Sequence, residues 1–287
     1  MQKMRMKIQL GKDSGHPHVP VMINDQGPFT FALDTGASAT TISKSLADQL
    51  GIPTYAGKKA KASGIGGNQI SVQAARLESF DVGSISFHDE EVGVIDLDAI
   101  FGSECKFGVI GYTTLRDYMI RVHYGVLEFK MQRSNGESDS DNVEWMPFKL
   151  LMNSHLVGVP VYINGKGPFD HILDTGSSGN VMTPAVASAI GVTDAMPEGL
   201  IEATGCSGGE CVGVAGRAVG YGAMVRSITI GSAELNDAVM GVIDLGVVTP
   251  EGEKIDYGII GYPFLKDYEL TLDYPNHRFA LAKHSGN

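Results

Sequence analysis

Short apolar runs, broken by glycine and proline, recur along the chain. Val19-Pro-Val-Met-Ile23 and Phe29-Thr-Phe-Ala-Leu33 flank Asn24-Asp-Gln-Gly-Pro28, which suits two strands joined by a turn. Ser43-Lys-Ser-Leu-Ala-Asp-Gln-Leu50 reads as a short helix, with Ser43 as its cap and Gly51 as its stop. Thr183-Pro-Ala-Val-Ala-Ser-Ala-Ile-Gly191 predicts a second such helix, with proline at the first helical position. Residues 127–131 and 278–283 read as closing strands. With 37 glycines and 12 prolines as punctuation, the chain predicts many short strands rather than long helices.

These elements come in two copies. Val19-Pro-Val-Met-Ile-Asn-Asp-Gln-Gly-Pro-Phe29 returns as Val159-Pro-Val-Tyr-Ile-Asn-Gly-Lys-Gly-Pro-Phe169, and Leu33-Asp-Thr-Gly-Ala-Ser38 as Leu173-Asp-Thr-Gly-Ser-Ser178. From Val19 to Ser38, 13 of 20 positions match the residue 140 further on, which marks a duplication. Gly93-Val-Ile-Asp-Leu97 answers Gly241-Val-Ile-Asp-Leu245, and Gly108-Val-Ile-Gly-Tyr112 answers Gly258-Ile-Ile-Gly-Tyr262. The offset grows to 150, so the second copy is ten residues longer, most of them expected after the Gly205 region. Between the copies, a polar, acidic stretch free of apolar residues reads as an exposed linker. The predicted organisation is an N-terminal lobe at 1–133, a linker at 134–142 and a C-terminal lobe at 143–287.

Bulk properties narrow the function. A length of 287 residues fits two modest domains. A net charge of −11 argues against nucleic acid as a partner. No stretch approaches the ~20 apolar residues of a membrane span. The first ten residues lack the apolar core of a signal peptide. The compartment therefore stays open: cytoplasmic for the sequence as it begins, periplasmic or secreted if a leader precedes it. No cysteine–histidine spacing fits a zinc site, so neither metal nor cofactor is expected. Cys206 and Cys211 would close a small loop in an oxidising compartment and stay two thiols in a reducing one.

The chemistry centres on two Leu-Asp-Thr-Gly turns, each after an apolar strand. A pseudo-twofold relating the copies would bring Asp34 and Asp174 together. Two carboxyl groups that close do not both ionise, and the pair titrates as a unit. Such a pair serves as general base toward water and general acid toward a carbonyl or a leaving amine. Gly36 and Gly176 would let the backbone pass close to the carboxylates. Thr35 and Thr175 would hydrogen-bond across to the other lobe, and Ser38 and Ser178 would satisfy the turn backbone.

With these motifs the chain resembles the retropepsin and pepsin clan of aspartic peptidases. Asp34-Thr-Gly-Ala-Ser38 is similar to the retropepsin active-site turn, and Ser63-Gly-Ile-Gly-Gly67 before Gln69-Ile-Ser-Val-Gln73 is similar to the flap hairpin. Val109-Ile-Gly111 and Ile259-Ile-Gly261 resemble the motif packed behind the catalytic loop. The resemblance implies a mostly β fold of two retropepsin-like, acid-protease lobes related by a pseudo-twofold. It implies a first flap tip at Gly64, Ile65, Gly66 and Gly67, and a second at Gly205, Cys206, Ser207 and Gly208. It also implies that Ser177, which stands where the first copy has Ala37, donates to its own aspartate. Asp174 would then be the more ionised carboxyl and Asp34 the one holding the shared proton. The function implied is endopeptidic hydrolysis of an extended peptide by a water between Asp34 and Asp174, in a monomer.

Rival constellations are weaker. Gly205-Cys-Ser-Gly-Gly209 matches a serine-nucleophile pattern but lacks the following helix. His171 stands where the first copy has Phe31 and reads as packing or polar support. Asp96 and Asp244 read as turn caps. The alternative function is a catalytically silent, or redox- and flap-regulated, peptide-binding protein on the same fold.

Overall fold

A computed structural model describes residues 3–63, 69–101, 106–134, 143–152, 154–192, 210–213, 216–245 and 257–284. The alternation read from the sequence is carried into burial. In the strand Pro17–Ile23, Val19, Val21 and Ile23 are buried while Pro20 is exposed, and in Leu156–Ile163, Val159, Val161 and Ile163 repeat the pattern. Fully burying each such side chain contributes roughly 1.5–3 kcal/mol. The turn at Asn24 and Asp25 takes positive φ, as does that at Asn164 and Gly165, the geometry that a tight hairpin needs.

Each copy forms an eight-stranded sheet, and the two strand orders are the same. The first runs Gln9–Leu10, Pro17–Ile23, Gln26–Leu33, Gly108–Ile110, Thr41–Ser43, Ile85–Ile95, Gln69–Val82 and Thr54–Ser63. The second runs Lys149–Leu151, Leu156–Ile163, Lys166–Leu173, Gly258–Ile260, Val181–Met182, Ala233–Ile243, Gly216–Ile230 and Glu210–Gly213. The predicted helices are Lys44–Leu50 and Pro184–Ile190. Ser43 Oγ accepts from the Leu46 N–H at 3.1 Å and Thr183 Oγ1 from the Val186 N–H at 3.3 Å. Gly51 and Gly191 end the helices in the left-handed region.

A third, six-stranded sheet joins the copies, in the order Lys3–Lys7, Glu128–Arg133, Tyr118–His123, Tyr268–Asp273, Arg278–Lys283 and Met146–Pro147. At its centre Ile120 faces Leu272, Arg121 faces Thr271 and Val122 faces Leu270, a register symmetric about the Arg121–Thr271 pair. Phe129 and Phe279, both fully buried, lie on the two outer hairpin arms, so the copies share one core. The predicted linker begins one residue past the strand Glu128–Arg133, and 135–142 lie outside the described residues. Among the described residues no helix is long and apolar enough to cross a membrane.

Candidate active site

The strand Gln26–Leu33 runs parallel to Gly108–Ile110, and Lys166–Leu173 runs parallel to Gly258–Ile260. Each Leu-Asp-Thr-Gly turn leaves its strand at the end of such a ladder. The Asp34 N–H donates to the Ile110 carbonyl at 3.0 Å, and the Asp174 N–H to the Ile260 carbonyl at 2.9 Å. The two apolar-apolar-glycine motifs therefore do lie behind the turns. The Tyr112 N–H donates to the Ala37 carbonyl and the Tyr262 N–H to the Ser177 carbonyl, both at 2.9 Å. Thr40 Oγ1 accepts from the Gly111 N–H at 3.1 Å, and Asn180 Oδ1 from the Gly261 N–H at 3.0 Å, so a different residue type performs the same anchoring in each copy.

The turns meet at the pseudo-twofold. Thr35 Oγ1 donates to the Leu173 carbonyl at 2.8 Å and accepts from the Thr175 N–H at 3.0 Å. Thr175 Oγ1 donates to the Leu33 carbonyl at 2.7 Å and accepts from the Thr35 N–H at 3.1 Å. Both threonines are fully buried, so these four bonds form away from water and fix one turn against the other. The Gly36 N–H donates to Asp34 Oδ1 and the Gly176 N–H to Asp174 Oδ1, each at 2.8 Å. A β-carbon on Gly36 would lie 2.6 Å from Asp174 Oδ2, and one on Gly176 would lie 2.4 Å from Asp34 Cγ, so only glycine admits this approach.

The half-buried carboxyl groups of Asp34 and Asp174 are in hydrogen-bonding contact. Burial first, then the charge of Asp174, pushes Asp34 well above the usual carboxylate range. Burial also raises Asp174, but the Gly176 N–H, the bond from Asp34, the Gly36 N–H and the nearby His155 all oppose it. The pair therefore holds a proton above the usual carboxylate range and titrates as a unit.

Ser177 does not make the bond to Asp174 that the resemblance implies. Ser177 Oγ donates to the Gly179 carbonyl at 2.9 Å, so its single proton is committed to its own turn rather than to Asp174. Ser38 is exposed and Ser178 half-buried. The turns close through main-chain bonds instead, Ala37 N–H to the Asp34 carbonyl and Ser177 N–H to the Asp174 carbonyl, both at 3.4 Å. Asp96 does cap a turn, accepting from the Ala99 N–H at 3.2 Å. His171 is fully buried, within 3.3 Å of the Phe169 carbonyl.

Each copy carries a long antiparallel hairpin at the same place in its sheet. In the first copy Ser63 pairs with Gln69, and Gly64, Ile65, Gly66 and Gly67, expected at the first flap tip, lie outside the described residues. In the second copy Gly213 pairs with Gly216. Gly205, Cys206, Ser207 and Gly208, expected at the second flap tip, also lie outside the described residues. The copies are offset by 140 at the helices but by 148 where Gln73 pairs with Val94 and Tyr221 with Val242. Eight of the extra residues thus enter between Gly191 and Tyr221.

A family model described as Aspartyl protease matches residues 19–114 and again residues 159–264. The chain belongs to the aspartyl protease family. Both matches contain one Leu-Asp-Thr-Gly turn and one apolar-apolar-glycine motif, the parts that meet at the pseudo-twofold. No curated protein sequence matches the chain. Among the described residues of this aspartyl protease, no three histidine, cysteine, aspartate or glutamate side chains gather as metal ligands.

Sequence reasoning missed several residues around the pair. Tyr124 and Tyr274 are buried close enough for the carboxylates to help raise their phenols, burial being the main cause. Tyr124 packs on Tyr262 at 5.9 Å between ring centroids, and Tyr274 on Tyr112 at 5.7 Å. Their spacing of 150 residues is the repeat offset and was the available signal. His155 places Nε2 2.9 Å from the Gly36 carbonyl oxygen. It has glycine as its counterpart in the first copy, so no repeated motif marks it.

Proposed function

We propose that this chain is an aspartic endopeptidase that hydrolyses peptide bonds with a water activated between Asp34 and Asp174. The observation that carries this is the contact of two carboxyl groups whose proton affinity is raised together, held by reciprocal threonine bonds across the lobes.

In the proposed cycle the Asp174 carboxylate takes a proton from the water as its oxygen attacks the scissile carbonyl carbon. The Asp34 carboxyl donates its proton to the carbonyl oxygen, leaving a neutral gem-diol. A proton then passes to the amide nitrogen, the carbon–nitrogen bond breaks, and the pair again holds one proton. The hairpins Thr54–Ser63 with Gln69–Val82, and Glu210–Gly213 with Gly216–Ile230, would hold the substrate as an extended strand. Because one chain supplies both carboxyl groups, a monomer suffices. The lobes are proposed to divide at residues 134–142.

The test is cleavage of a peptide library from acidic to neutral pH by wild type, Asp34→Asn and Asp174→Asn. Wild type should cut, and each variant should lose at least about 10²–10⁴-fold in kcat/KM while staying folded. A folded wild type that cuts nothing at any pH, yet binds peptides, would replace hydrolysis with peptide binding alone.

A further inference from the structure

Beside the carboxyl pair one residue breaks the pseudo-twofold. The loop before Pro17–Ile23 reads Ser14-Gly15-His16, whereas its counterpart, at the start of Leu156–Ile163, reads Ser154-His155-Leu156. On the first side Tyr262 fills the space, since a β-carbon on Gly15 would lie 2.3 Å from Tyr262 Cδ1. On the second side the His155 ring faces Tyr112, the counterpart of Tyr262, at 6.2 Å between centroids. Its Nε2 lies 2.9 Å from the Gly36 carbonyl oxygen. A carbonyl only accepts, so Nε2 carries hydrogen and Nδ1 is the nitrogen that titrates. The loop itself is braced: the Ser154 N–H and Oγ both donate to the Leu151 carbonyl, at 3.0 and 2.8 Å.

We propose that His155 is a positioning residue for hydrolysis. It holds the first lobe's active-site turn through the Gly36 carbonyl and, as a cation, favours a charge on Asp174 and a proton on Asp34. The role rests on the pair being the peptidase dyad. Gly36, whose carbonyl His155 contacts, donates its own N–H to Asp34, so the bond crosses the lobes directly into the turn that carries one carboxyl. Glycine at position 15 has no side chain with which to do the same for Gly176, so the single histidine makes the two aspartates inequivalent.

The titratable groups facing the imidazole are Asp174, Asp34 in the turn it touches, and Tyr112 on the short helix Tyr112–Leu115. Burial lowers the affinity of His155 for a proton, while the Gly36 carbonyl and Asp174 raise it. Burial raises Asp174 while it lowers His155, so the two shifts run in opposite directions. Below its own pKa, cationic His155 keeps Asp174 ionised to lower pH. Above it the neutral ring retains only the hydrogen bond.

The experiment compares the pH profile of kcat/KM for wild type, His155→Gln and His155→Gly. It also follows the His155 ring by NMR titration in wild type and Asp174→Asn. Glutamine keeps an N–H donor without a charge. It should leave the maximum within a few-fold while moving the acid limb up by roughly half to one pH unit. Glycine, which copies position 15, should show the same shift and a further fall of about tenfold in kcat with little change in KM. Asp174→Asn should lower the His155 pKa. An acid limb in His155→Gln that coincides with wild type, or a ring titration unmoved by Asp174→Asn, overturns the proposal. If wild type cleaves nothing, hydrolysis fails, and the NMR arm alone still decides whether His155 and Asp174 are coupled.

Discussion

Replacing Thr175 by valine keeps the shape of the side chain and removes its hydroxyl. Two bonds go with it, the 2.7 Å donation to the Leu33 carbonyl and the 3.1 Å acceptance from the Thr35 N–H. Leu33 and Thr35 are both fully buried, so water does not replace the lost partner. An unsatisfied buried donor or acceptor costs about 1–3 kcal/mol, which puts the variant roughly 2–6 kcal/mol below wild type. That is a large share of the ~5–15 kcal/mol stability of a typical fold. Thermal unfolding by calorimetry should show a Tm lower by roughly 5–15 °C. Thr175→Ser, which keeps the hydroxyl, should stay within about 3 °C of wild type. Thr35→Val should match Thr175→Val, because Thr35 Oγ1 makes the equivalent pair of bonds to Leu173 and Thr175. A valine variant that melts with wild type would refute the assignment of these bonds as the clamp between the lobes.

Two further outcomes follow from the carboxyl pair and its glycines. The folded-state affinity of Asp34 for a proton is raised, so its contribution to stability is fully present below the ordinary value of 3.8 and is lost as pH rises through the folded value. Asp34→Asn should therefore melt above wild type at neutral pH and lose that advantage near pH 3, which melting curves across pH will check. Gly176→Ala introduces a β-carbon 2.4 Å from Asp34 Cγ, and a displacement of the carboxyl by about 1 Å should lower kcat/KM by about 10²-fold in a peptide-cleavage assay.

The duplication was the most legible feature of the chain. Copied apolar alternation at Val19–Ile23 and Val159–Ile163 fixed which residues face the core, and copied helix signals at Ser43 and Thr183 appear as caps. Legibility failed where the copies diverge. Strand register, a long-range property, places eight of the second copy's extra residues between Gly191 and Tyr221. Ser177 looks like a donor to Asp174 by position along the chain, yet its rotamer delivers the proton to the Gly179 carbonyl.

By itself, then, the sequence determined what is local and repeated: the strand periods, the caps, the two Leu-Asp-Thr-Gly turns and the membership of both copies in one architecture. Only the tertiary structure decided what depends on groups far apart in the chain. The Thr35–Thr175 clamp, the contact of the two carboxyl groups and the bond from His155 to Gly36 each join residues more than a hundred positions apart. The raised proton affinity of the carboxyl pair arises from burial and neighbouring charge, which act through space, and no pattern within either copy encodes it.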